Sequence, residues 1–263
     1  MIARFFRLLE RQMNLQLRMR TFNLYNLLLF FLQPAVFSAV GMILSRAAGN
    51  AAPDLVYTVI GGGIMGMWSG LVFTSTFDIR ADRREGTLEL IVGSPTSLGK
   101  VEAIRTFTNV VAGLVSMAAA FLAALLIFKY PLQEANLPAA LFSLLLALFG
   151  LWCLGMFLAN FMVWSRLTTS IVDFLETPVA VLCGFMYPIR VLPTWMQAIS
   201  SIFPIRWALE GMHAALQGSH DAALLGRSWG LAFGVALVFL GLARVLEGKV
   251  HNLIRVTGEL NSI

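Results

Sequence analysis

Residues 137–164 read LPAALFSLLLALFGLWCLGMFLANFMVW, 28 positions without a charge. Coiled as a helix at 1.5 Å per residue, the run is about 42 Å long, against a bilayer hydrocarbon core of roughly 30 Å. It is apolar all round, so it has no side suited to water. The rest of the chain is poorly equipped to bury it as a soluble core. The 263 residues are 58% hydrophobic and only 13% charged, where a soluble domain carries about 25% charged residues. Mean hydropathy is +0.79. The stretch predicts a membrane span that tilts or overshoots.

Five further runs of bilayer length flank it: Leu24 to Leu44, Val56 to Phe77, Phe107 to Phe128, Thr168 to Tyr187 and Ser228 to Leu246. The expected fold is an all-α polytopic membrane protein with six transmembrane helices, the quoted run being the fourth. Pro34 and Pro178 predict kinks in the first and fifth, where neighbouring helices can re-satisfy the freed carbonyls. Residues 1–22 predict an interfacial amphipathic helix. Ile2, Phe5, Phe6, Leu9, Met13 and Leu17 fall on one arc, and Arg4, Arg7, Glu10, Arg11, Asn14 and Arg18 on the other. The apolar run after it is too long for a signal peptide and reads as a retained span.

The bases orient the bundle. With the N-terminus inside, 14 of the 19 Lys and Arg residues fall in cytoplasmic segments; Arg46, Lys129, Arg190, Arg206 and Arg227 fall outside. That is a positive-inside pattern with both termini cytoplasmic. It accounts for the isoelectric point of about 9.7 without nucleic acid as a partner. The absence of an Asn-x-Ser/Thr sequon is compatible with a bacterial plasma (inner) membrane.

Two regions outside the spans are distinctive. The cytoplasmic loop 78–105 is dense in both signs of charge, and Leu88, Ile91 and Val92 give it an apolar side suited to docking another protein. Ser97, after Pro95, can cap a second helix leading into the third span. The outer region 188–222 follows Tyr187-Pro188, which is read as the end of the fifth span. It predicts a short helix opened by Leu192-Pro193-Thr194, with Trp195, Met196, Ile199, Ile202 and Phe203 on one face, and stopped by Pro204. A second helix runs from about Arg206 to Gln217. Neither can cross, and Trp195 and Trp207 are expected as interfacial anchors.

Candidate chemistry is sparse. Gly93-Ser-Pro-Thr-Ser-Leu-Gly-Lys100 has five residues between glycines where a phosphate loop needs four, and Val101 stands where Ser or Thr is required, so it is a decoy. His213, His220 and His251 form no metal spacing and read as surface or interface histidines; no metal site and no catalytic residues are assigned. Cys153 and Cys183 read as small apolar residues. Asp173 and Glu176 lie three apart on one side of the fifth span. Each costs roughly 2.5–3.5 kcal/mol at a bilayer centre. Both a structural role and a role in cation, proton or cargo contact stay open. Gly62, Gly66 and Gly70 form a stripe in the second span, read as helix packing within the chain or across a dimer, with a pore lining as the alternative.

Taken together these pieces resemble the permease subunits of ABC-2 type transporters, the drug and polysaccharide exporter permeases among them, over essentially the whole chain as a single transmembrane domain, 1–263. Four stretches carry the resemblance. They are Phe31-Leu-Gln-Pro34; Asp82-Arg-Arg-Glu-Gly-Thr-Leu-Glu-Leu-Ile91 with Ser94-Pro95; Gly184-Phe-Met-Tyr-Pro188 with Leu192-Pro193-Thr-Trp195; and Ile202-Phe-Pro204 with Trp207 and Glu210. The chain departs from the family's usual residues at Arg84, where a second acid is common, and at Cys183, where serine is.

The resemblance implies an export system in which two permease copies, or a related pair, form the pathway above two copies of a separate ABC ATPase. ATP and Mg would bind that ATPase, and this chain would hold no cofactor. Arg83, Arg84, Glu85, Gly86, Thr87, Leu88, Glu89, Leu90 and Ile91 would form the coupling helix. Gly66, Gly70, Phe73, Asp173, Glu176, Pro178 and Phe185 would border the translocation pathway. Pro188, Trp195, Pro204, Trp207 and Glu210 would belong to an outer gate. The expected cargo is amphipathic: a drug-like compound, lipid, glycan or peptide. The alternatives are a membrane-embedded enzyme using Asp173 and Glu176, and a scaffold subunit that transports nothing.

Overall fold

A computed structural model describes residues 36, 60–69, 71, 98–128, 136–165, 178–185, 189 and 192–257. Among these, every regular element is helical. Helix α1 covers 60–69, α2 Leu98–Phe128, α3 Leu137–Ser165 and α4 178–183. Beyond α4 come α5 Thr194–Ser200, α6 Pro204–Leu216 and α7 Ala222–Thr257. Among the described residues two segments, Leu137–Phe161 and Ala222–Val250, are long and apolar enough to cross a membrane. The quoted run is therefore one uninterrupted helix. The first span and residues 1–22 lie outside the described residues, apart from Val36, which is helical and exposed.

Helix α3 is the hub, packing on α7, α6 and α2. Small residues let the helices approach. A Cβ on Gly150 would come within 3.2 Å of Pro204 in α6, and one on Gly155 would meet Thr106 of α2 at 2.7 Å and Leu71 at 2.9 Å. On α7, Ala232, Ala236 and Ala243 are buried, while Phe233, Leu237, Val238, Leu242 and Val245 are exposed. The exposed side is the one a bilayer would solvate. Gly226, Gly230, Gly234, Gly241 and Gly248 share that outward side, and a Cβ on any of them would meet nothing within 4 Å.

Several polar groups inside the bundle find partners within it, which limits the cost of burying them away from water. Trp229 Nε1 donates to Ser143 Oγ at 2.8 Å, and Ser143 donates in turn to the Ala139 carbonyl at 2.9 Å. Trp152 Nε1 crosses from α3 to the Ala103 carbonyl of α2 at 2.9 Å. Thr108 and Asn160 donate back to the carbonyls of Ile104 and Met156, four residues earlier in their own helices.

Several boundaries differ from the sequence reading, each for a local reason. Helix α4, at the end of the expected fifth span, stops at Cys183, short of the expected Tyr187. Gly184 adopts φ 68°, its N–H donates to the Val181 carbonyl and that of Phe185 to the Ala180 carbonyl, which is a Schellman stop. Pro204 begins α6 at its first turn rather than merely ending α5, because a proline there sacrifices no helical hydrogen bond. The helix foreseen after Ser97 is continuous with the third span, so residues 98–105 of the charged loop belong to α2. Helix α7 extends past Ser228 to Leu246 in both directions.

Candidate functional site

The end of α4 and helix α6 share one buried core, with Ala180, Cys183 and Phe185 in the same cluster as Ile205, Ala208 and Leu209. Pro204 and Ile205 are buried, the former over Gly150, so the first turn of α6 is set against α3. That turn carries Arg206, half-buried. Its Nη1 donates to the Gln197 carbonyl of α5 at 3.2 Å, and its guanidinium lies 4.1 Å from the centre of the Trp207 ring. Burial draws the Arg206 guanidinium below its ordinary pKa, against the opposing pull of Glu210 and with Arg227 adding to the depression. Trp207 Nε1 donates to the Ser201 carbonyl at 3.0 Å, and Gln197 Nε2 to the Leu192 carbonyl at 2.7 Å. These bonds fold α5 back on α6 although α5 has only seven residues, too few to be a stable helix alone.

The faces of the hairpin divide cleanly. Trp195 is 63% exposed, with Ile199 and Ile202 also outward, as an interfacial anchor requires. Trp207 is half-buried, and its bond to the Ser201 carbonyl joins the two short helices. Glu210 is exposed. His213 is only 4% exposed, which corrects its reading as a surface or interface residue: it lies on the α6 face that carries Leu209, Met212 and Leu216. His220 is exposed, its Nδ1 3.0 Å from Asn136 Nδ2.

The hairpin is fastened to the start of α3. Asn136 Oδ1 accepts from the Ala139 N–H at 3.3 Å as a helix cap, and the Asn136 N–H donates to the Ala215 carbonyl of α6 at 2.8 Å. A second Schellman stop ends α6, with Gly218 at φ 79° and the Ser219 N–H on the Ala214 carbonyl at 2.9 Å. Asp221 then caps α7, its Oδ1 accepting from Ala223 at 2.9 Å and Leu224 at 3.3 Å.

Of the residues assigned to the pathway, Gly66 is buried, Pro178 is half-buried at the start of α4, and Phe185 is fully buried beyond the Gly184 turn. Gly70, Phe73, Asp173, Glu176 and Pro188 lie outside the described residues, as does the whole Arg83–Ile91 segment. Among the described residues, α1 and α2 approach closely at Gly63, which the sequence reading passed over. A Cβ there would come within 2.8 Å of Met117 Cγ, and one on Gly113 within 2.7 Å of Met67 Cγ. The paired spacing Gly63-x3-Met67 and Gly113-x3-Met117 was the available signal: in antiparallel helices each methionine covers the other helix's glycine. Among the described residues, no group of three or more His, Cys, Asp or Glu is placed to hold a metal.

The sequence model of the ABC-2 type transporter family matches residues 3–216 of the 263, a stretch that includes the charged loop 78–105, α3 and the whole α5–α6 hairpin. No curated protein matches the chain.

Proposed function

The chain belongs to the ABC-2 type transporter family, and from that premise we propose that it is the permease subunit of an ATP-driven exporter that moves an amphipathic cargo. As a membrane permease domain of that family, it has no nucleotide-binding site of its own. The proposed assembly pairs it with a second copy or a related permease above two copies of a separate ABC ATPase, which bind ATP and Mg. The observation that carries the reading is the family match across both the charged loop and the outer hairpin. The chain is proposed to cross the plasma membrane six times with both termini cytoplasmic. Fourteen of its 19 bases on one side support that topology.

In this reading Arg83–Ile91 is the coupling helix. ATP need only favour one arrangement of the two ATPase subunits to shift the permease between inward- and outward-facing states. Gly66, Gly70, Phe73, Asp173, Glu176 and Pro178 border the pathway, and Phe185 joins them if the Gly184 turn opens. Pro188, Trp195, Pro204, Trp207 and Glu210 form the outer gate. The Arg206 bonds that hold α5 on α6 support treating that hairpin as one moving part.

The test is to reconstitute the chain with its ATPase and compare it with the Leu88→Pro and Glu89→Lys variants. Both should insert normally, yet ATP hydrolysis stimulated by the permease should fall at least tenfold. Undiminished stimulation by a correctly folded Leu88→Pro protein contradicts the assignment.

A further inference from the structure

At the end of α7 remote from the hairpin, the Glu247 carboxylate occupies the space that a Cβ on Gly99 would take. Gly99 is buried in the first turn of α2, a few positions after Pro95 and Ser97 in the sequence. That turn has no acid of its own and carries Lys100, whereas the positive end of a helix dipole favours a carboxylate. Glu247 supplies the missing negative charge from another helix, and Arg244 Nη1 holds it at 3.2 Å. Only glycine leaves room for this seat.

The rest of α7 leads to the hairpin. It runs unbroken from Ala222 to Thr257. At its other end Trp229 is bonded to Ser143, and a Cβ on Gly211 of α6 would lie 3.2 Å from both Trp229 Nε1 and Ser143 Oγ. We infer that the Gly99–Glu247 seat is a positioning contact of the transport cycle: it ties the first turn of α2 to α7, so that a displacement of the cytoplasmic loop reaches the α5–α6 hairpin through one continuous helix. The inference rests on the permease reading above. Glu247 acts through α2 and α7 and touches no cargo.

The test uses the complete chain with its ATPase in lipid nanodiscs and an environment-sensitive fluorophore on Ile202→Cys. That position is exposed on the hairpin, while Cys153 and Cys183 are buried. Gly99→Ala, which evicts the carboxylate, and Glu247→Gln, which keeps its shape without its charge, should each cut the ATP-dependent fluorescence change by half or more. ATPase binding and hydrolysis should stay within twofold. The double variant should lose no more than either single one, because both break the same contact; a general loss of stability would add. A full signal in both single variants, or additive losses, overturns the inference. If the unaltered complex binds no ATPase, the permease reading fails and the relay with it. The same cycle in melting temperature on the isolated chain would then still report whether the contact forms, so the two failures are distinguishable.

Discussion

Gly63 and Gly113 each lie beneath a methionine of the facing helix, with its Cγ under 3 Å from the position of an added Cβ. Alanine at either site must push α1 and α2 apart, since at Gly113 the Met67 Cα itself is only 3.2 Å away. Overpacking of this kind costs about 1–3 kcal/mol. Gly230 and Gly234 face open space in the middle of α7, and there alanine removes only the conformational freedom of the unfolded chain, a gain of about 0.4–1 kcal/mol. Thermal unfolding in detergent should therefore move in opposite directions for Gly113→Ala and Gly230→Ala, and a loss for both would contradict this account of the packing. Gly218 is constrained differently, by its φ of 79° at the end of α6. Gly218→Ala should cost about 1–2 kcal/mol from backbone strain alone, readable in the same assay.

At the scale of elements, the α5–α6 hairpin depends on a few bonds. Arg206→Met keeps much of the apolar stem but deletes the bond to the Gln197 carbonyl and the stacking on Trp207. It should raise hydrogen exchange across residues 194–203 at least tenfold and leave α7 protected. Trp229→Phe removes the Ser143 bond and should cost about 1 kcal/mol of stability. The long elements were legible in the sequence because their signal is redundant: the uncharged run from Leu137 and the apolar residues up to Phe128 mark helix ends that agree with α3 and α2 to within a residue. The short ones were harder. Pro204 serves as a break and as a first-turn residue in the same sequence context, and composition does not distinguish them. Gly184 was quoted for its place in a motif, but its role as a left-handed helix stop depends on which carbonyls its neighbours reach. His213 looked polar enough for a surface, yet it stands on the face of α6 shared with Leu209, Met212 and Leu216, which the tertiary packing buries. The seat of Glu247 on Gly99 joins positions 148 residues apart, and no local pattern announces it.

For the whole molecule, two groups of contacts lie at opposite ends of α7. Asn136, the α6–α7 turn and the hairpin gather at one end, and Gly99 with Glu247 at the other. The proposed topology puts the start of the fourth span and the end of the fifth outside, and the start of the third and the end of the sixth inside. Single cysteines at Lys100 and Lys249 should react with a membrane-impermeant maleimide only after permeabilisation, and one at Trp195 before it; reaction of all three from outside would reverse the orientation. In the proposed assembly the chain is driven by an ATPase it does not contain. Affinity purification of the chain from its native membrane, with the ATPase content measured, tests it most directly. The account predicts a stoichiometric ABC ATPase that is lost when Arg83–Ile91 is altered; an isolated chain with no ATPase, or an ATPase retained by that variant, would contradict it.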